Sequence, residues 1–136
     1  MDKLNVAVIG VGAMGKSHAR VYSTMNNVSL VAVCDINKDQ AVSIANNHKA
    51  KYYTNYKYML KKEKIDAVSI CVPTNLHKQV AINVIKHKIN TLIEKPITTT
   101  INEAKEIINE AEKYEIKLMI GHIERFNPVV IELKKR

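Results

Sequence analysis

Three of the four glycines in this 136-residue sequence lie within six positions, where Gly10, Gly12 and Gly15 form the pattern GxGxxG. The pattern sits between an apolar run and a helical pattern, which is the context of a phosphate-binding loop. Gly10 permits a tight turn, Gly12 lets the backbone approach a pyrophosphate, and Gly15 lets the helix pack closely on the strand. The first helical amides, at Ala13 and Met14, would face the phosphates. We therefore predict a dinucleotide-phosphate site; the alternative is an ordinary strand-to-helix turn.

Asp35 ends the second apolar run, twenty residues after Gly15. A carboxylate there can accept hydrogen bonds from both hydroxyls of an adenosine ribose, and it repels a 2′-phosphate. It therefore predicts NAD rather than NADP as the cofactor, with the adjacent Ile36 in the same site. Two alternatives stay open. Asp35 could instead cap a helix, and Asn37 and Lys38 could offer donors to a phosphate.

Apolar runs alternate with helical patterns along the whole chain, so residues 1–136 are predicted to form one domain. The runs are continuously apolar, as in parallel strands buried on both faces. We predict an α/β fold: a doubly wound parallel (Rossmann) sheet of six strands with helices on both faces. The predicted strands are Leu4–Ile9, Val28–Cys34, Lys51–Tyr53, Ala67–Val72, Thr91–Ile93 and Lys117–Ile120.

One predicted helix begins with a capping box formed by Thr100 and Glu103. Its apolar residues are expected to be buried. They are Ile101, Ala104, Ile107, Ile108 and Ala111.

Polar residues follow the last three strands, at the sheet edge where open α/β sheets bind ligands. The segments are Pro73-Thr74-Asn75-Leu76-His77, Glu94-Lys95-Pro96 and Gly121-His122-Ile123-Glu124-Arg125-Phe126-Asn127-Pro128. In order and spacing, together with GxGxxG and the acidic end of strand two, they resemble the Gfo/Idh/MocA oxidoreductase family from about Lys3 to Arg136.

The resemblance implies a dehydrogenase that transfers a hydride between the nicotinamide of NAD and a secondary alcohol of a sugar or cyclitol. The segment from Gly121 looks like that of members acting on nucleotide sugars such as UDP-N-acetylhexosamines. It assigns Lys95 as the catalytic residue, beside the nicotinamide ribose, where its ammonium can stabilise developing alkoxide charge. It also implies a cis peptide bond between Lys95 and Pro96.

The resemblance further implies that Pro73, Thr74, Asn75 and His77 line the cofactor groove, although His77 could equally be a capping or packing residue. Other assigned residues have open alternatives. Glu94 supports the nicotinamide side or pairs with a surface lysine. Arg125 contacts the substrate or cofactor, or forms a surface ion pair.

Composition excludes several classes of protein. The net charge of +8 comes from 21 basic and 13 acidic residues, nearly all the basic ones lysines scattered over the chain, so we expect a solvated surface and no nucleic-acid partner. No apolar stretch approaches the roughly 20 residues of a membrane span, and no secretory signal is evident. Cys34 and Cys71 are expected to be buried free thiols in a reducing cytoplasm. The five histidines have no metal-site spacing.

Family members continue into a second domain, absent from this chain, that carries most of the substrate pocket and the subunit interface. The resemblance therefore implies that the full-length protein is a homo-oligomeric enzyme acting on a sugar-like substrate. The isolated domain would be a monomer or weak dimer and catalytically incomplete. The alternative is a non-catalytic NAD-binding module, either a sensor or a subunit completed in trans.

Overall fold

The computed structural model describes residues 2–136 as strands and helices that alternate along the chain. The strands are β1 (Leu4–Ile9), β2 (Val28–Cys34), β3 (Lys51–Tyr53), β4 (Ala67–Ile70), β5 (Asn90–Ile93) and β6 (Leu118–Ile120). The helices are α1 (Ala13–Thr24), α2 (Lys38–His48), α3 (Tyr56–Lys62), α4 (His77–Lys86), α5 (Ile101–Lys113) and α6 (Pro128–Leu133). Two short 3₁₀ turns cover Thr74–Leu76 and Ile123–Phe126.

All neighbouring strands run parallel, in the order β3-β2-β1-β4-β5-β6. The last residue of β1, Ile9, is in register with Cys34 on one side and Ile70 on the other. The chain moves outward in one direction from β1 to β3 and in the other from β4 to β6. The carboxyl ends of β1, β2 and β4 therefore meet at a topological switch point, where such sheets bind ligands.

Two apolar clusters cover the two faces of the sheet. On one face, Ala19 of α1 and Ile44 of α2 pack with Val6 and Val8 of β1. On the other face, side chains of α3, α4 and α5 pack with the alternate β1 residues, which include Ile9. The prediction of a six-stranded Rossmann sheet with helices on both faces is confirmed.

Helix α5 buries fewer residues than its sequence predicts. Ile107 and Ala111 are buried, but Ile101 is 76% exposed and Ile108 is 43% exposed, so their predicted burial is wrong. Each helical residue turns the side chain by about 100°, which places Ile108 and Ile101 well away from the direction of Ile107. The helix therefore contacts its neighbours through a stripe narrower than its apolar content suggests.

Several element ends differ from the predicted ones by a few residues, the usual uncertainty of helix and strand ends. Strand β4 ends at Ile70, before Cys71 and Val72, and β6 begins at Leu118 rather than at Lys117. Within residues 2–136, no helix combines the length and apolar character needed to cross a bilayer.

Candidate functional site

A groove of about 520 Å³ lies at the switch point of the sheet. Among the predicted site residues, its walls include Gly10, Gly12, Met14, Asp35, Ile36 and Pro73. The groove also contains side chains that the sequence analysis did not select: Ile9, Cys34, Thr54, Tyr56, Cys71, Val72, Leu76 and Val80. Thr54 directly follows β3, so the rule that ligands bind at carboxyl strand ends could have identified it.

The glycine loop is shaped by two close contacts and one open space. Gly10 has φ of +86°, and a Cβ there would lie 2.8 Å from the main chain of Cys71 and Val72. A Cβ on Gly15 would lie 1.8 Å from the carbonyl oxygen of Gly10. A Cβ on Gly12 would meet nothing within 4 Å. Of these three glycines, only Gly12 therefore leaves its main chain open to a ligand.

Helix α1 begins where this open space lies. Gly12 is its N-cap, and the Lys16 amide makes the first intrahelical bond, to the Gly12 carbonyl at 2.9 Å. The amides of Ala13, Met14 and Gly15 therefore precede the hydrogen-bonded ladder of the helix. The first turn contains no acidic residue. Free amides and the positive end of the helix dipole form a site that can bind a phosphate.

The Asp35 carboxylate is held by two main-chain amides. Its Oδ2 accepts a hydrogen bond from the Val11 amide at 2.9 Å, and its Oδ1 accepts one from the Asn37 amide at 2.8 Å. The N-cap of α2 is Asn37, whose side chain accepts from the Gln40 amide, so Asp35 does not cap that helix. Each carboxylate oxygen can accept a second hydrogen bond, which leaves Asp35 able to bind ligand hydroxyls.

The groove floor contains three groups that burial keeps protonated. Burial raises the pKa of both Cys34 and Cys71 to about 12. Both are free thiols; Cys34 is buried, as predicted, whereas Cys71 is only partly buried. Burial likewise raises the pKa of Tyr56, whose hydroxyl accepts a hydrogen bond from Asn83. Since a thiolate is the reactive form of cysteine, these thiols serve as apolar lining.

His77 does not line the groove, and this part of the predicted site requires correction. It is 1% exposed. Its Nε2 lies 2.9 Å from the Val72 carbonyl oxygen, and its Nδ1 lies 3.0 Å from the carbonyl oxygens of Pro96 and Ile97. Both ring nitrogens are thus occupied by the main chain. The ring joins the loop after β4 to the loop after β5, which is the packing alternative considered for this residue.

Other predicted residues lie outside the groove walls. Thr74 and Asn75 are in the first 3₁₀ turn, directly after Pro73, and Ala13 is exposed at the start of α1. Arg125 is exposed in the second 3₁₀ turn. None of these four side chains belongs to the walls of the groove.

Glu94 lies in a second cavity, of about 310 Å³, beside α1. It is 7% exposed, and its Oε1 lies 2.7 Å from Nε2 of His18. Its other oxygen, Oε2, accepts a hydrogen bond from the Lys95 amide at 3.2 Å. The alternative of a surface pair with a lysine is therefore wrong, because the carboxylate is buried and bound to a histidine. Met14 lines both this cavity and the groove, so the two are adjacent.

Lys95 follows Glu94 at the carboxyl end of β5, and its side chain is exposed. The peptide bond between Lys95 and Pro96 is cis, in agreement with the prediction. An exposed ammonium at this position can donate hydrogen bonds to a ligand oxygen.

Comparison with known proteins identifies a family. Residues 4–122 match the model of the Gfo/Idh/MocA group, described as an oxidoreductase family with an NAD-binding Rossmann fold. UDP-N-acetylglucosamine 3-dehydrogenase of Acidithiobacillus ferrooxidans is 33% identical over 99% of this chain and 42% of its own length.

Solved structures agree with this match. Myo-inositol 2-dehydrogenase from Lactobacillus plantarum superposes with a TM-score of 0.92 at 31% identity, over 98% of this chain and 40% of that one. GenD2 from gentamicin A biosynthesis, solved in complex with NAD, superposes with a TM-score of 0.86 at 28% identity, over 89% of this chain and 35% of that one. The chain spans about 40% of the length of the relatives it matches. On the match to residues 4–122, this chain belongs to the Gfo/Idh/MocA oxidoreductase family, within its NAD-binding Rossmann region.

Proposed function

We propose that this chain binds NAD(H) and forms the cofactor half of a dehydrogenase that acts on a secondary alcohol. The observation that carries the proposal is the hydrogen bond from the Val11 amide to Asp35 Oδ2, 2.9 Å long. It joins the glycine loop to the carboxylate at the end of β2. A glycine loop joined in this way to a carboxylate supports a dinucleotide site, in which the first would bind phosphate and the second ribose.

The described residues fit a dinucleotide. The open main chain at Gly12 and the first amides of α1 suit the pyrophosphate, and Asp35 suits the adenosine ribose. Ile36 and Leu76 offer apolar surface for the adenine. A carboxylate at the ribose position favours NAD over NADP, because it repels a 2′-phosphate. When bound, the nicotinamide supplies the hydride chemistry, and the protein supplies orientation and electrostatics.

The substrate class is inferred from the relatives. Their names describe oxidation at a ring carbon of a UDP-sugar and of an inositol, so we assign a secondary alcohol of a sugar, cyclitol or nucleotide sugar. Lys95 lies at the carboxyl end of β5 and directly follows Glu94, which lines the cavity adjacent to the groove. Its ammonium would donate a hydrogen bond to the reacting oxygen and stabilise the charge that develops there.

Calorimetric titration with NADH and NADPH tests the cofactor assignment. We expect tighter binding of NADH. Asp35→Ala should weaken NADH by about tenfold, since hydrogen bonds to a charged group are lost, and should bring the two affinities closer together.

Asp39→Ala is the matched control, because Asp39 lies in the first turn of α2 outside the groove walls. It should leave both affinities within about twofold of the original. Equal or tighter binding of NADPH by the unaltered chain would contradict the NAD assignment. If neither NADH nor NADPH binds, the proposed function itself is contradicted.

A further inference from the structure

Four polar side chains beside α1 form a connected, largely buried group that the dinucleotide groove does not use. Ser69, in the middle of β4, is fully buried, and Glu94 is nearly so. Tyr22 and His18 reach them from α1. Buried polar groups are costly unless they are paired, and these four are paired with one another. We call this group the Tyr22–Glu94 chain.

Matching donors with acceptors assigns a single direction to the Tyr22–Glu94 chain. His18 Nε2 lies 2.7 Å from a carboxylate oxygen of Glu94, and because a carboxylate oxygen accepts, we assign the proton to this nitrogen as the donor. His18 Nδ1 is then the acceptor, and the Ser69 hydroxyl donates to it across 3.0 Å. Ser69 in turn accepts from the Tyr22 hydroxyl at 2.6 Å.

With these donors, each polar hydrogen of the Tyr22–Glu94 chain has an acceptor within that group. With the opposite donors, the hydrogen of the Tyr22 hydroxyl would have none there. Burial raises the pKa of Tyr22, despite the hydrogen bond to Ser69. Its hydroxyl therefore remains a donor at neutral pH. Donors thus run from Tyr22 through Ser69 and His18 to Glu94, and linked hydrogen bonds of this kind polarise and strengthen one another.

The Glu94 carboxylate is also confined from its other sides. A Cβ on Gly121 would lie 3.0 Å from Oε1 and 3.1 Å from both Cδ and Oε2, so the backbone of Gly121 packs directly against the carboxylate. Oε2 accepts from the Lys95 amide. His18 and Gly121 hold the carboxylate in place. Through its hydrogen bond with the Lys95 amide, the carboxylate in turn holds the backbone from which the Lys95 side chain extends.

We propose that His18 is a positioning residue: held by Ser69 and Tyr22, it orients the Glu94 carboxylate and through it Lys95, and thereby sets the nicotinamide end of the cofactor site. This inference rests on the proposed function, since Lys95 matters only where a nicotinamide binds. Gly121 acts in the same way through its own contact with the carboxylate. His18 lies outside the walls of the dinucleotide groove.

The test compares two ligands that differ only at the nicotinamide end. NADH and ADP-ribose share the adenosine, the pyrophosphate and the second ribose, so a change confined to NADH reports on the nicotinamide end. His18→Leu removes the donor to Glu94 and should weaken NADH about tenfold, the scale of one hydrogen bond to a charged group. ADP-ribose should change by less than about twofold.

A direct readout is the amide resonance of Lys95, measured by NMR on the chain without ligand. It should move upfield in His18→Leu, because the hydrogen bond to the Glu94 carboxylate is weakened. His18→Gln keeps an N–H donor and should stay near the original in both measurements. Gly121→Ala, whose added methyl group would displace the carboxylate, should reproduce the effects of His18→Leu. His87→Leu, at an exposed histidine directly after α4, is the matched control and should change neither the NADH affinity nor the Lys95 resonance.

The outcomes separate the two proposals. If the unaltered chain binds neither ligand, the proposed function fails, while the Lys95 resonance still reports on positioning. If His18→Leu weakens NADH and ADP-ribose equally, or leaves the Lys95 amide unchanged, His18 is a packing residue and the inference is overturned. Gly121→Ala keeps the test valid if His18→Leu does not fold.

Discussion

Gly10 and Gly12 are two positions apart, yet the space around them is opposite in character. A side chain on Gly10 would collide with the main chain after β4 and would require positive φ, whereas a side chain on Gly12 would project into open space. We expect Gly10→Ala to lower the free energy of unfolding by about 2 kcal/mol or more, from strain at positive φ and steric conflict. Gly12→Ala should change it by less than about 0.5 kcal/mol.

Binding should show the complementary result. In Gly12→Ala the new methyl group occupies the approach of a pyrophosphate, so NADH affinity should fall by about tenfold or more. Denaturant unfolding and NADH titration of the two variants measure both effects. An intact Gly12→Ala variant with undiminished NADH affinity would show that this loop is not the phosphate site.

At the scale of elements, a largely buried carboxylate joins the third strand to the end of the third helix. The Glu63 carboxylate, 11% exposed, accepts a hydrogen bond from the Tyr53 hydroxyl and lies 2.9 Å from Lys51 Nζ. The hydrogen bond from Tyr53 lowers the pKa of Glu63, and Lys51 lowers it further. Together they outweigh burial, which raises it, so the pKa of Glu63 lies below its usual value. Burial, followed by the contact with Glu63, raises the pKa of Tyr53 to about 12.

A carboxyl group with a lowered pKa in the folded state stabilises folding above its unfolded pKa, near ~4.3, and this contribution is lost as the pH falls through the folded value. Tyr53→Phe should therefore lower the free energy of unfolding by about 1–2 kcal/mol at pH 7, with a smaller difference at pH 3. Tyr52→Phe, on the same strand but exposed, is the control and should have little effect. An equal loss at both pH values for Tyr53→Phe would exclude the ionised carboxylate as the cause.

The features that could be predicted from the sequence are those formed by residues close to one another along the chain. The glycine spacing, the strand end at Asp35 and the capping box of Thr100 and Glu103 all involve neighbours in sequence, and the capping box forms as predicted. The contacts of His18 could not be predicted in this way. Its partners Ser69 and Glu94 are 51 and 76 positions away and come together only through the order of the strands.

The same reasoning explains the error at His77. A histidine just after a strand that ends at the switch point is close to the groove in sequence. Its direction, however, depends on the carbonyl oxygens of Pro96 and Ile97, which lie 19 and 20 positions away. The position was therefore predictable and the orientation was not.

At the scale of the whole molecule, apolar side chains concentrate at one end of the chain. The second 3₁₀ turn and α6 expose Ile123, Phe126, Val129 and Leu133, and Met119 of β6 is exposed beside them in sequence. Exposed apolar side chains grouped in this way are typical of an interaction surface rather than of a solvated helix. The relatives contain more than half of their length outside the region matched here, and we propose that a second domain of this kind covers the segment and completes the active site.

We expect the 136-residue chain alone to bind NADH and to lack turnover. Oxidation of an alcohol needs a base within hydrogen-bond reach of the hydroxyl proton. Lys95, as an exposed ammonium, offers donors but no acceptor for that proton. Nothing described beside it would hold an alcohol in a near-attack geometry, an effect worth up to ~7–11 kcal/mol. The measurement is NADH absorbance with NAD and a panel of sugars, inositols and UDP-sugars.

Lys95→Ala separates turnover at this site from turnover by a contaminating enzyme. A rate that persists in Lys95→Ala does not arise from the proposed site. A rate of roughly 1 per second, as in ordinary enzymes, that disappears in Lys95→Ala would contradict the prediction. In that case the residues after β4, β5 and β6 would form a complete active site, and the base would have to lie among them. His122 would then be the first candidate, because it is an exposed histidine directly after Gly121 and a neutral imidazole can accept the hydroxyl proton.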